Sequence, residues 1–167
     1  MLNIKTGTKF SLEHLRENPM KKTSDVNMLK EICKEIEKEG KVTGNHLKRL
    51  SAAFGLRFTK AWNAVKERRI KKYVFKPSGR IVWIVVGKER EYLVMPAAEF
   101  CSCEDFYFQF DKGHLCYHII AQNLAEASGR FDLIEEEDHF YEVLIREWKA
   151  VEIRVSKKHQ REEEATT

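Results

Sequence analysis

The sequence lacks a long apolar run. Its longest apolar stretch, Ile81 to Val86, has the length of a strand, whereas a helix that crosses a bilayer needs about 20 apolar residues. Charged residues at Lys5, Lys9 and Glu13 interrupt the N-terminal segment, which therefore lacks the apolar centre of a secretory signal. We expect a protein of the cytoplasm, nucleoid or nucleus that is not secreted.

Sequence signatures of catalysis are also missing. There is no phosphate-binding glycine loop, no serine nucleophile elbow and no metal site with an open position. Asp105 and Asp111 lie near the cysteines, and we interpret both as loop residues rather than catalytic acids. We therefore expect no enzymatic activity.

The composition predicts a folded α+β protein with one modest core. Hydrophobic residues make up 43% and charged residues 34% of 167 residues, which is typical of a globular chain. A first helix is predicted by apolar residues at helical spacing, preceded by Ser24 or Asp25 as the N-cap and followed by Gly40; these apolar residues are Leu29, Ile32, Cys33 and Ile36. Cys33 belongs to this stripe and is therefore predicted to be a core residue.

Two more short helices are predicted before the strands begin. Thr43 is a suitable N-cap for the second, which Gly55 ends. Thr59 is expected to open the third, with Phe58 and Val65 on its buried face. Strand-like segments then follow around the turns at 77–79 and 87–90, which predicts a three-stranded antiparallel meander.

The chain after the meander is predicted to be helical. One helix should follow the cysteines and end at Gly129, and a last amphipathic helix should run from about Leu133 to Val155 with a wide apolar face. Three helices followed by a hairpin is the order of a winged helix-turn-helix. The predicted organisation is a flexible segment 1–24, a basic winged-helix-like region 25–80, a cysteine-containing finger 81–128, a C-terminal helix 129–155 and a charged tail 156–167.

Three of the four cysteines cluster within sixteen residues and are followed by a histidine. The pattern is Cys101-x-Cys103, twelve residues, then Cys116-x-His118. Three thiolates and one imidazole suit a tetrahedral zinc ion, and four protein ligands leave no position for a catalytic water. The sequence therefore predicts a structural zinc site.

Neighbouring residues offer alternatives to this assignment. His114 is a rival to His118, although the symmetric spacing of the two pairs favours His118. An aromatic run could stack on nucleic-acid bases, but beside a small metal site it is better explained as core; it comprises Phe106, Tyr107, Phe108 and Phe110.

Residues 41–80 contain twelve basic residues and one acid, a net charge of +11, while the whole chain carries +4 and the remainder therefore −7. Such a segment suits a phosphate backbone, with binding that weakens as salt rises. The candidate DNA-binding residues are Arg57, Lys60, Lys66, Arg68, Arg69, Lys71, Lys72, Lys76 and Arg80. Asn63 is the main candidate for a base contact. The alternatives are a solvated face and a surface for an acidic partner.

The Cys-x-Cys and Cys-x-His pairs with an apolar helix behind them resemble the SWIM zinc finger. The resemblance extends beyond the ligands to roughly residues 46–145. Over this range the sequence is similar to the small SWIM proteins of the Shu complex. Cys101, Cys103, Cys116 and His118 match that family's zinc positions, and the turn at 77–80 matches its hairpin turn.

This resemblance implies an accessory protein of homologous recombination and DNA repair. Such proteins pair with a RecA/RadA-type recombinase paralogue and support recombinase filaments on single-stranded DNA. The competing hypothesis, from the helix order and the basic segment, is a winged-helix transcription regulator with a structural zinc. A regulator should prefer its operator over random duplex about 10³-fold or more, whereas an accessory protein should favour single strands or bind without sequence preference.

Overall fold

The computed structural model of the protein describes residues 19–109 and 114–149, which form an α+β fold around one five-stranded mixed sheet. The strand order is β4-β3-β2-β1-β5. The strands are β1 (Ile70–Lys76), β2 (Arg80–Val86), β3 (Glu91–Met95), β4 (Phe100–Cys101) and β5 (Asp132–Glu137). The helices are α1 (Pro19–Glu39), α2 (Gly44–Phe54), α3 (Leu56–Lys66), α4 (Glu104–Gln109), α5 (Tyr117–Ser128) and α6 (Tyr141–Lys149).

Helix α1 includes Ser24 and Asp25, so the prediction that one of them caps it was wrong. The end of the predicted flexible segment 1–24 is helical, and residues 1–18 lie outside the described part of the chain. Proline at residue 19 is compatible with this because the first turn of a helix does not need its N–H group. The predicted apolar stripe of α1 is buried, and Cys33 lies in the core as expected.

The junction of α2 and α3 depends on Gly55. Thr43 caps α2 as predicted, since its hydroxyl accepts a hydrogen bond from the His46 amide at 3.4 Å. The prediction that Thr59 opens α3 was wrong, because α3 begins at Leu56 immediately after Gly55. Gly55 has a φ of 53°, a conformation that favours glycine and lets the chain turn from one helix directly into the next.

The predicted three-stranded antiparallel meander is present as β1, β2 and β3, but it is only part of the sheet. Strand β4 pairs with β3, and β5 lies parallel to β1 along its whole length. The β1–β2 hairpin therefore has a neighbouring strand on each side. Three helices precede this hairpin as predicted for residues 25–80, but the hairpin is not a free wing, and the sheet is mixed and five-stranded rather than a three-stranded meander.

The prediction of one helix from Leu133 to Val155 was also wrong. Residues 132–137 form β5, a short 3₁₀ turn follows, and α6 begins at Tyr141; residues 150–155 lie outside the described part of the chain. Strand β5 is stabilised by a distant partner strand and by ion pairs with basic residues, among them Lys76 with Glu135 at 2.6 Å. Local periodicity does not contain this information.

Both faces of the sheet are covered by helices. Helices α1, α2, α3 and α5 share the larger core with Trp83 and Val94 of the sheet and with the three clustered cysteines. The expected boundary between residues 80 and 81 lies within β2, so the basic region and the cysteine segment belong to one core. On the opposite face, Trp148 of α6 packs against a smaller cluster that includes Phe75 and Leu93. No described helix is both long enough and apolar enough to span a bilayer.

Candidate metal centre

The structure brings together the four residues that the spacing singles out. Cys101 ends β4, Cys103 lies in the following loop, Cys116 is the N-cap of α5, and His118 lies in the first turn of that helix. One potential ligand atom from each residue lies within 4.8 Å of the others, and all four residues are buried. The cluster joins the edge of the sheet to the start of α5.

The first pair is held in place by Ser102, the residue between the two cysteines. Ser102 is buried, and its amide donates to the Leu93 carbonyl at 3.0 Å while the Leu93 amide donates to its hydroxyl at 3.0 Å. These bonds fix the Cys-x-Cys segment on β3. The Phe106 amide donates to the Cys103 sulfur at 3.3 Å, a contact that orients this sulfur as a ligand.

The second pair is held from the helical layer. Cys116 has extended backbone geometry and starts α5. The preceding carbonyl, that of Leu115, accepts a hydrogen bond from the Arg57 guanidinium of α3 at 2.7 Å. Helix α3 thus holds the residue that precedes the second ligand pair.

The thiols of the cluster differ in their tendency to ionise. Burial raises the pKa of Cys101, and the neighbouring thiols add to this effect. The pKa of Cys116 is lowered, first by hydrogen bonds from the thiols of Cys101 and Cys103, and also by the amides of Ile119 and His118 at the start of α5. The cluster therefore contains a buried position that favours a thiolate, and a buried anion requires a positive partner.

His118 supplies an independent test of whether the cluster fits a metal. The residue is 3% exposed, and neither ring nitrogen has a hydrogen-bond partner among the described residues. Leaving such a group unsatisfied costs about 1–3 kcal/mol. The ring lies against Tyr92 and Tyr117, with centroid distances of 4.1 and 3.8 Å. Coordination would satisfy one nitrogen, so the donor set of three sulfurs and one nitrogen fits a four-coordinate ion.

His114, the rival ligand, is not part of the cluster. It lies instead beside a cavity of about 260 Å³ that is also lined by Arg57, Asp105 and Cys116. Asp105 is exposed, and Asp111 lies outside the described residues.

The aromatic run is divided between core and surface. Phe106 is half-buried against the larger core and contacts Phe100 at a centroid distance of 5.3 Å. Tyr107 is 43% exposed. The side chains of Phe108 and Phe110 lie outside the described part of the structure.

Acidic residues from distant parts of the chain lie beside many of the candidate DNA-binding residues. Five of the nine form ion pairs: Arg68 with Asp132 at 2.8 Å, Arg69 with Glu67 at 2.7 Å, Lys71 with Glu91 at 2.7 Å, Lys72 with Glu126 at 3.7 Å and Lys76 with Glu135 at 2.6 Å. Four of these acids lie beyond residue 80 and belong to the acidic remainder. The fold therefore neutralises much of the charge that the sequence concentrates in one segment.

The other four candidates differ in their surroundings. Arg57 bonds the Leu115 carbonyl, and the Arg80 guanidinium lies 4.5 Å from the ring centre of Tyr141. Lys60 and Lys66 of α3 are exposed and form no ion pair with any described residue. Sequence reasoning overlooked Tyr92 and Tyr117 beside His118, although Tyr117 stands between two ligand candidates in the chain.

Two known proteins are similar in sequence to this chain. An uncharacterized protein of Archaeoglobus fulgidus is 32% identical over 117 residues, which cover 69% of this chain and 96% of that protein. The zinc finger SWIM domain-containing protein 7 homolog of Dictyostelium discoideum is 32% identical over 85 residues, or 48% of this chain. The match spans about half of the Dictyostelium protein, 54% of its length. No family model and no solved structure matches the chain.

The cluster and the partial match support the same interpretation. Buried Cys101, Cys103, Cys116 and His118 provide the ligands, and the Dictyostelium protein carries SWIM in its name. Together they support a SWIM-like zinc finger. The match to the Archaeoglobus fulgidus protein covers nearly the whole of that protein. The chain therefore belongs to one family with this uncharacterized protein.

Proposed function

We propose that the protein is a zinc-binding SWIM-domain accessory factor of homologous recombination that pairs with a RecA/RadA-type recombinase paralogue and contacts DNA. The observation that carries the proposal is the buried Cys₃His cluster at the junction of β4 and α5. The Dictyostelium relative and the spacing of the two ligand pairs support a SWIM-type finger. The role in recombination and the recombinase partner are what the resemblance to SWIM proteins implies beyond the finger itself.

Zinc is the metal that the donor set favours. Three thiolates and one imidazole match the ligands of structural zinc, an ion with no redox chemistry and a tetrahedral preference. Bound there, it would hold β4 and α5 together and neutralise thiolate charge. With four protein ligands no position remains for a reacting water, so we propose a structural role and no enzymatic activity for this chain.

Elemental analysis of the purified full chain tests the metal. We expect one zinc per chain, and His118→Ala should lower the zinc content while His114→Ala should leave it unchanged. A folded, metal-free preparation would contradict the assignment.

Partner recovery tests the recombination role. Part of the surface near α6 is apolar and exposed, with Phe140 45% and Val143 60% exposed, and such a surface suits a protein partner. We expect affinity purification from native cells to recover a RecA-family protein and Val143→Asp to weaken its recovery. Failure to recover any RecA-family protein with the wild-type chain would refute the role. The purified chain should have no ATPase activity of its own.

A further inference from the structure

A cleft of about 590 Å³ lies beside the cysteine–histidine cluster, between α3 and the turn that joins β2 to β3. Helix α3 contributes Lys60 and Asn63, the turn contributes Lys88 and Glu89, and Tyr117 lines the cleft beside the start of α5. Its volume is in the range of pockets that hold small ligands. The cleft therefore has room for about one nucleotide.

The cations of the cleft differ in their availability. Arg69 is held by Glu67 at 2.7 Å and by the Val86 carbonyl at 2.9 Å, so it is committed to the protein. Lys60 and Lys88 are exposed and form no ion pair with any residue of the described chain. They lie on opposite sides of the cleft, one on α3 and one on the turn, and are available to an anionic ligand.

The aromatic part of the cleft is rigidly positioned. Tyr92 packs against His118, and the Arg90 guanidinium lies 4.8 Å from its ring centre. Gly87 allows the turn to approach this ring closely, since a Cβ at that position would lie 2.5 Å from Tyr92 Cε2. Tyr117 contacts His118 with a centroid distance of 3.8 Å, is half-buried and lines the cleft.

We infer that this cleft binds single-stranded DNA, with a phosphate between Lys60 and Lys88 and an unpaired base against Tyr117. Aromatic side chains combined with cations along the backbone are the general means of binding single strands without sequence preference. A paired base is not accessible to a ring at the side of a cleft, so single strands should be preferred over duplex. The inference rests on the proposed function and narrows its DNA contact from a broad basic segment to one site.

Charge variants of the full-length, zinc-loaded protein test the site. The probe is a fluorescently labelled single-stranded oligothymidylate, and affinity is measured by anisotropy over a series of salt concentrations. Lys60→Gln and Lys88→Gln should each weaken binding and lower the slope of log affinity against log salt, and the double variant should lower that slope by about 0.7, the value for one phosphate contact on a single strand. Lys66→Gln is the matched control, since Lys66 is an exposed lysine of the same helix that does not line the cleft.

Glu89 supplies a test of opposite sign. This exposed carboxylate lines the cleft and forms no ion pair with a described residue, so it should repel a bound phosphate. Glu89→Gln should therefore strengthen binding to the same oligothymidylate. Weaker binding by this variant would contradict the inference.

Tyr117 tests the stacking contact. Tyr117→Phe should retain affinity because stacking requires the ring, whereas Tyr117→Leu should lose roughly tenfold or more. Zinc content of both variants is measured alongside, because Tyr117 lies between two ligand candidates. If Tyr117→Leu loses its metal, the lysine and glutamate variants alone decide.

The outcomes separate this inference from the proposed function. If the wild-type chain binds oligothymidylate but Lys60→Gln and Lys88→Gln keep its affinity and salt slope, the cleft assignment is overturned while DNA contact stands. Equal competition by duplex, preference for oligouridylate, or no binding by the wild-type chain would also overturn it. Recovery of a recombinase paralogue tests the proposed function independently of all four results.

Discussion

Replacing Cys116 by serine should remove the metal and, with it, cooperative folding of the domain. Zinc bound by structural sites contributes about 10–16 kcal/mol near neutral pH, which is comparable to or larger than the whole stability of a typical domain, about 5–15 kcal/mol. The loss of stability is not confined to the residues around the metal site. Helix α5 starts at Cys116 and packs in one core with α1 and α3, so detachment of its first turn exposes the helical layer.

Cys33→Ser is the matched control. Cys33 is a buried cysteine like Cys116, but it lies on α1, and burial raises its pKa to about 12, so it is a protonated core thiol. A serine hydroxyl without a partner there should cost about 1–3 kcal/mol. This corresponds to a melting temperature roughly 2–12 °C lower for a chain of this size. Its zinc content should equal that of the wild type.

Circular dichroism melts and elemental analysis of the two variants decide the matter. We expect Cys33→Ser to melt cooperatively with one zinc, and Cys116→Ser to lack both the metal and a cooperative transition. If Cys116→Ser keeps its zinc or melts within a degree of the wild type, the reasoning from a single buried cluster is refuted.

Three further predictions concern the packing around the site. Burial alone would raise the pKa of Glu91, but hydrogen bonds from Lys71 and Trp148 lower it below its ordinary value. Because the folded-state pKa is lowered, the ionised carboxylate stabilises the fold above the unfolded pKa of about 4.3, and this stabilisation is lost as pH falls through the folded value. Glu91→Gln should therefore lower the free energy of unfolding by about 1 kcal/mol at pH 7 and by little in acid. Urea titrations at both pH values measure this difference. Gly87→Ala should lower the melting temperature because its Cβ would meet a tyrosine ring at 2.5 Å, whereas Gly44→Ala, with nothing within 4 Å, should be neutral or stabilising; equal melting temperatures would contradict this. Leu124→Ala, at a fully buried position of α5, should cost about 2–5 kcal/mol, and a loss below 1 kcal/mol in chemical denaturation would show that α5 is not central to the core.

The features that the sequence predicts correctly depend on neighbours in the chain. The stripe around Ile32 and Ile36, the cap at Thr43 and the hairpin turn are set by local spacing and turn chemistry. The two ligand pairs, Cys101 with Cys103 and Cys116 with His118, are also recognisable from local spacing, because the members of each pair are two residues apart in the chain. That the two pairs lie next to each other in space is shown only by the fold.

What could not be predicted depends on contacts between distant residues. Strand β5 forms because its backbone pairs with β1, more than fifty residues earlier in the chain, and not because of periodicity around Leu133. The same pairing brings Asp132 to Arg68 and Glu135 to Lys76. A count of charges along the chain overestimated the basic surface because it could not include these partners.

The parallel pairing of β1 with β5 also bears on the order in which the protein assembles. The chain between these strands must close a long loop, and the entropy of closure rises with loop length. Cys101 belongs to β4, at the far edge of the sheet, and Cys116 starts the helix that leads back to β5. An ion bound by both residues would tie the start of α5 to the edge of the sheet, so that only α5 and the turn after it would separate the constrained chain from β5. Pairing of β5 with β1 would then close a short loop, and completion of the sheet would depend on bound metal.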